Sequence, residues 1–194
     1  MMAFNLIRLL PHLVCWGVSR NKEVIEQDLQ RWSEIVLNVK PTTMRKRLYV
    51  FLRLMTILPE YRSLFLYRLG LAGYLLAPLC RPMTNLYITT KDIGPGLFIQ
   101  HGFSTIIAAK KIGKNCWINQ QVTIGFTNAT DRPVIGNNVV ITAGAKVIGG
   151  VTVGNNVVIG ANAVVVKDVP PNCTVVGVPA YIVRKNGEKT KEPL

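Results

Sequence analysis

Acidic side chains are scarce in this chain. Its 194 residues hold ten Asp and Glu against 23 Lys and Arg, a net charge of +13. Such a balance suits an anionic partner, whether the phosphates of a cofactor, an anionic glycan or lipid, or nucleic acid. No nucleic-acid-binding motif accompanies the charge, so nucleic acid is not expected as a partner. Charged residues make up only 17% of the chain and hydrophobic ones 49%, which excludes disorder and allows a buried core. Cysteine is also sparse. Cys15, Cys80, Cys116 and Cys173 lie far apart with no paired CxxC spacing, which argues against a disulfide framework and against a metal site. A reduced, cytoplasmic setting fits that usage. The first residues do not read as a secretory leader: Arg8 is the only early base, and no small-residue cleavage site follows an apolar core.

What the chain has in abundance is a rhythm of six. Residues 135–152 (IGNNVVITAGAKVIGGVT) and 153–170 (VGNNVVIGANAVVVKDVP) agree at ten of eighteen positions. Ile135, Ile141, Val147, Val153, Ile159 and Val165 occupy the first position of each hexad. Val139, Ala145, Val151, Val157, Ala163 and Val169 occupy the fifth, which is always small and apolar. Neither a helical period of 3.6 nor simple strand alternation produces this spacing. A solenoid whose coil has three flat faces of six residues does. The fold class expected is therefore mainly β: a parallel β-helix preceded by an α-helical N-terminal region. Earlier hexads begin at Ile93 and Ile99, and one extra residue then shifts the phase to Ile106, Ile112, Ile118 and Ile124. The stretch 126–134 (FTNATDRPV) breaks the rhythm, and loops that interrupt a rigid repeat commonly carry binding groups. Cys116 falls at a small fifth position and reads as a buried thiol.

Residues 1–90 read as the helical region, 91–184 as the β-helix and 185–194 as a polar tail. One helix is expected from Met1 to Trp16 unless Pro11 kinks it, with His12 as a structural residue on its apolar face. A second begins at Asn21, a candidate N-cap, with Glu23, Glu26 and Asp28 early in the helix. From Arg45 to Arg81 seven bases meet a single acid, Glu60, among large apolar residues. The longest uncharged run there is the twelve residues Leu69 to Cys80, too short to span a bilayer. Two readings of 45–81 stand: a helical subdomain packed on the solenoid or on another subunit, or a basic amphipathic element making peripheral contact with a membrane.

Four stretches carry a resemblance: GPGLFIQHGFSTII (94–107), TDRPVIG (130–136), GAKVIGGVTVGNNVVIGANAVV (144–165) and KDVPPNCTVVGVPAYIV (167–183). Together they resemble the acyltransferases of the hexapeptide-repeat superfamily, most closely the serine acetyltransferase branch and its polysaccharide O-acetyltransferase relatives. That resemblance implies a left-handed β-helix, a homotrimer, with pairing of trimers left open, and acetyl-CoA as cosubstrate in the groove between neighbouring solenoids. It also implies acetyl transfer to a hydroxyl by direct attack, without a metal. His101 matches the family's catalytic histidine, and a neutral imidazole can take the proton of a hydroxyl as it attacks a thioester. Gln100, directly before it, is the second candidate catalytic residue. Backbone N–H groups near Gly125 could hold the oxyanion. Ala143 and Ala161 match corner positions that hold the pantetheine arm, and Arg132, Lys167 and Arg184 are candidates for the CoA phosphates, with plain surface solvation as the alternative for these bases. Outward Val140 and Val158 either seal a trimer or are ordinary solvent-facing residues.

The departures concern the acceptor. Serine acetyltransferases carry an aspartate where this chain has Gln100, and a histidine after the Asp-Arg pair where Pro133 follows Asp131 and Arg132. The position of an upstream aspartate is held by Leu86, and Leu194 stands where an isoleucine docks on cysteine synthase. Gln100 supplies no carboxylate to an amino group or an imidazole. The QHG motif at 100–102 is similar to that of O-acetyltransferases of surface polysaccharide and glycolipid biosynthesis. That resemblance, together with the basic, apolar N-terminal half, implies an acetyl-CoA-dependent O-acetyltransferase acting on a sugar hydroxyl of a surface polysaccharide or glycolipid precursor, working in the cytoplasm or at the inner face of a membrane. Serine O-acetylation is the alternative, and a non-catalytic solenoid scaffold is the alternative of another class.

Overall fold

The computed structural model describes residues 2–194. Two compact units divide the chain between Thr84 and Asn85. The first is helical: α1 (Met2–Val18), α2 (Lys22–Trp32), α3 (Met44–Ile57), α4 (Pro59–Leu69) and α5 (Leu71–Leu76). Met1, with which the predicted first helix begins, lies outside the described residues. Pro11 does not end α1. Leu9, His12 and Trp16 recur at helical spacing and are buried together. Trp16 stacks on Phe51, and Phe51 meets Phe65 edge-on at 5.0 Å, so aromatic contacts join three of the helices. His12 Nδ1 donates to the Arg8 carbonyl at 3.2 Å, and burial lowers its pKa.

Asn21 precedes α2 as expected but does not cap it; its Nδ2 donates instead to the Arg68 carbonyl at 2.8 Å. That carbonyl ends α4 and needs a donor from outside the helix. After Trp32 the second helix widens into a π-helical turn, Ser33–Leu37, and closes at Asn38 in the left-handed conformation. Pro59 opens α4 at a position where its missing N–H costs nothing. Inside the unit Arg68 donates to Asp28 at 2.8 Å with both side chains buried.

The second unit is a parallel solenoid with three faces. The first face stacks five strands, from Leu86–Ile88 through Thr105–Ile107, Thr123–Gly125 and Lys146–Ile148 to Val164–Val165. The second stacks four, from Asp92–Ile93 to Thr152–Val153. The third runs from Phe98–Ile99 to Cys173–Val176 and is extended by two antiparallel strands, Tyr181–Lys185 and Glu188–Pro193. Ile99, Ile118, Ile141, Ile159 and Val175 lie in register on the third face and are all buried. Burying each such side chain contributes about 1.5–3 kcal/mol. Where the second face turns into the third, Asn115, Asn138, Asn156 and Asn172 all adopt positive φ of 55–58°. Asparagine tolerates this conformation, and the amides link successive coils: Asn138 donates to Asn156 and Asn156 to Asn172. The preceding glycines are required by closeness, since a Cβ on Gly113 would lie 2.6 Å from the Gly136 carbonyl group.

Two expectations from the sequence are corrected, one from spacing and one from composition. Ile106 is not interior. It is 41% exposed, and Ile107 is buried in register with Ile124. The corner between Ile99 and Ile107 therefore holds two residues beyond a hexad rather than one, and the next corner is a residue shorter. The tail is polar but not loose: residues 188–193 pair with Tyr181–Lys185 as an edge strand, with Lys185 donating to Glu192 at 2.8 Å.

The buried ion pair generates a stability test. Arg68→Met strands the Asp28 carboxylate in the helical core and is expected to cost about 3–5 kcal/mol in urea unfolding followed by far-UV dichroism. The double change Arg68→Met with Asp28→Leu is expected to recover most of that loss.

Candidate active site

The chain departs from its hexads at two kinds of corner, and all the candidate residues but Arg184 gather at them. The corner from the third face to the first begins with Gln100 and His101. His101 has φ of 62°, Gly102 37° and Ser104 52°, so the two added residues form a left-handed bulge. The Phe103 amide closes it by donating to the His101 carbonyl at 2.5 Å. The bulge leaves His101 exposed, and among the described residues its ring makes no hydrogen bond. An imidazole so presented is open to an incoming hydroxyl.

The same corner recurs in the later coils. Gln121 N–H donates to Phe103 O, Gly144 N–H to Gln120 O and Asn162 N–H to Ala143 O, at 2.9–3.0 Å. This column brings Gln100, His101, Ala143 and Ala161 onto one edge. At one strand spacing per coil, Ala143 stands about 10 Å along the edge from the bulge. Lys146, which spacing alone did not single out, donates from Nζ to the Gln121 carbonyl at 2.6 Å and puts a cation on this edge.

Gln100 has a defined orientation. Trp117 Nε1 donates to its Oε1 at 3.1 Å, and Phe98 meets Trp117 edge-on at 4.5 Å. An indole can only donate, so the amide oxygen is the partner and the amide N–H groups are left for something else. Trp117 was not legible as a site residue. The signal was present only in the register that sets Phe98 against Trp117 on adjacent coils.

Gly125, Arg132 and Lys167 lie at a different corner, where the first face turns into the second. Here the chain takes eleven residues from Ile124 to Ile135 in place of six. Asp131 gathers this loop: its carboxylate accepts from the Thr127 hydroxyl and from the amides of Thr127 and Asn128, the latter two at 2.9 Å. These bonds, the Thr127 hydroxyl first, hold its pKa below the usual carboxylate range. Arg132 lies over the Phe126 ring at 4.2 Å. The Gly125 carbonyl accepts from Gly149 N–H at 3.1 Å, and the loop rests against Gly150 of the next coil. Lys167 donates to the Leu194 carbonyl at 2.7 Å. Arg184 belongs to neither corner; it pairs with Thr174 in the terminal hairpin. Within one chain the first face thus separates the His101 edge from the loop edge. Among the described residues no group of three His, Cys, Asp or Glu side chains is arranged to hold a metal.

Comparison with known proteins matches this architecture. The bacterial transferase hexapeptide family (six repeats) covers residues 132–167. A serine acetyltransferase of Synechococcus elongatus is 41% identical over 136 residues, which span 68% of this chain and 55% of that protein. The chain thus spans little more than half the length of that curated relative. The crystal structure of serine acetyltransferase from Brucella abortus strain S19 superposes with a TM-score of 0.69 at 28% identity, covering 92% of this chain and 74% of that one. The structure of the Brucella protein in complex with coenzyme A gives a TM-score of 0.60 at 28% identity, covering 93% and 74%.

The loop carboxylate generates its own test. Because hydrogen bonds depress the Asp131 pKa in the folded chain, its tie to Thr127 and Asn128 is complete above the ordinary carboxylate range and is lost as pH falls through the depressed value. Asp131→Asn is expected to raise amide exchange at Thr127 and Asn128 several-fold at neutral pH, read by hydrogen exchange, while the interior columns stay protected.

Proposed function

We propose that the chain belongs to the hexapeptide-repeat acyltransferase superfamily, in its serine acetyltransferase branch, and that it is an acetyl-CoA-dependent O-acetyltransferase. The observation that carries the chemistry is His101 itself: an exposed imidazole on a left-handed bulge with no internal partner. It takes the proton of the acceptor hydroxyl as that oxygen attacks the thioester carbonyl carbon. The tetrahedral intermediate then collapses, the C–S bond breaks, and the sulfur leaves with the proton returned by the imidazolium, giving free CoA thiol and an acetyl ester. The column of corner amides and carbonyls near Ala143 and Ala161 suits the pantetheine arm, and the coenzyme A complex of the Brucella relative supports that cosubstrate.

The relatives favour L-serine as acceptor over the sugar hydroxyl that composition and Gln100 suggest. One observation keeps the sugar as a second reading. With its oxygen held by Trp117, Gln100 offers N–H donors, which suit a hydroxyl or carboxylate and not an ammonium group. The separation of the His101 edge from the Arg132 loop supports a shared site in a cyclic homotrimer, where the histidine edge of one copy faces the loop edge of the next. Val158, at 36% exposed on the third face, is available to such packing. We assign the activity to the cytoplasm, where acetyl-CoA is available.

The test is release of free thiol from acetyl-CoA with L-serine and with a panel of sugars and glycolipid precursors. Turnover with L-serine, reduced about 10²–10⁴-fold in His101→Ala, is the expected result. Turnover only on a sugar would give the acceptor to the second reading. Coenzyme A binding with no transfer to any hydroxyl would make the solenoid a scaffold.

A further inference from the structure

The helical unit carries a surface that the transfer chemistry does not use. Helix α1 is apolar nearly all round. Its inner face buries Leu9, His12 and Trp16, yet Ile7, Leu10, Val14 and Val18 form a second stripe that faces outward. A helix that is apolar on every side is normally enclosed. Its neighbour α5, which packs against it, exposes Leu71, Tyr74 and Leu75. Val18, Leu71 and Tyr74 are each more than three-quarters exposed. Seven large apolar side chains on two adjoining helices exceed what scattered surface hydrophobics require.

The same unit holds a cavity of about 520 Å³. Arg8 of α1, Arg62 of α4 and Arg81 after α5 line it, with Thr56 and Cys80, and no acidic residue does. Arg62 is fixed by its own bonds: Nε donates to the Arg81 carbonyl at 3.0 Å, and Nη1 to the Met55 and Thr56 carbonyls at 3.0 and 3.1 Å. It closes the C-terminal end of α3 and holds a positive charge at the cavity wall. The thiol of Cys80 senses the convergence, since Arg62 and Arg8 both favour its ionised form even though burial raises its pKa overall. From Tyr61 to Thr90 the chain has no acidic residue, and α1 has none.

We propose that the helical unit docks on an anionic phospholipid surface, with the outward stripe of α1 and α5 entering the headgroup boundary and the arginine cavity taking a lipid phosphate. Interfacial binding combines an apolar face with bases, and this unit supplies both: the stripe of α1 and α5, and Arg8, Arg62 and Arg81 at the cavity. A second copy of the same surface fits worse. A two-fold contact sets the patch against itself and brings Arg8, Arg62 and Arg81 toward their own counterparts, with no acid to offset them. The contact is peripheral, because no helix among the described residues is long and apolar enough to cross a membrane. It centres on α1 and α5 rather than on the whole of residues 45–81.

The full chain is tested by flotation with vesicles of phosphatidylcholine alone and of phosphatidylcholine with one-third phosphatidylglycerol. Binding is expected only to the anionic vesicles. Arg8→Gln with Arg81→Gln should weaken it about 25-fold, about fivefold for each base removed. Val14→Glu should abolish it, with an unchanged dichroism spectrum and thermal midpoint showing that the exposed change leaves the fold intact. Glycerol 3-phosphate separates the sources of phosphate: saturable binding of it in calorimetry, with no vesicle binding, would overturn the lipid in favour of a soluble phosphate ester. Equal binding to both vesicle types, or a Val14→Glu variant that binds vesicles normally but changes sedimentation, would also overturn the proposal, the latter in favour of a self-interface.

Discussion

The structure depends on one constraint: every coil must set a β-branched side chain directly over the one beneath. Ile99, Ile118, Ile141, Ile159 and Val175 satisfy it on the third face, and Ile107, Ile124, Val147 and Val165 on the first. Strands of two or three residues cannot hold such a register by themselves. The corners do so. Asn115, Asn138, Asn156 and Asn172 turn the chain through the left-handed region at the same point of each coil, and their amides tie one coil to the next. Because the interior is a continuous column, an inserted residue cannot be absorbed along a face. It must be expelled at a corner.

That rule turns insertions into functional groups. Two extra residues at the corner after Ile99 produce the bulge that presents His101, and five at the corner after Ile124 produce the loop that Asp131 gathers and Arg132 ends. The rigid columns fix where each lies, while the corners are free to vary. The two insertions fall at opposite ends of the first face, so the solenoid separates the proposed base from the basic loop within one chain. In the proposed shared site a neighbouring copy supplies the second edge, so assembly and chemistry are tested together.

Much of this was legible in the sequence because the solenoid is periodic. The hexads located the interior columns, the small fifth positions and the two interruptions. Cys116 was placed correctly as a buried small residue at a corner. What spacing could not fix was the phase across an insertion. Ile106 and Ile107 are both plausible interior residues, and only pairing with Ile124 decides between them. Contacts between coils were equally hidden. Trp117 reaches Gln100 across seventeen residues, and Lys146 reaches the Gln121 carbonyl across twenty-five. In the helical unit no repeat guided the reading. Asn21 had the chemistry of a cap, yet the nearby Arg68 carbonyl took its amide. The edge strand 188–193 looked like a tail because its side chains are polar, and backbone pairing with Tyr181–Lys185 leaves no trace in composition.

The shared site is the claim on which the functional account rests, and complementation tests it most directly. One variant carries His101→Ala. The other lacks residues 127–131, which returns the step from Ile124 to Ile135 to six. Each alone should be inactive. Co-refolded in equal amounts into mixed trimers, they should regain about one quarter of the native rate of acetyl-CoA thiol release, because one ordered pairing in four supplies both an intact histidine edge and an intact loop. Mixed oligomers that form but stay inactive would contradict the account, as would full activity in the loop-deleted variant by itself.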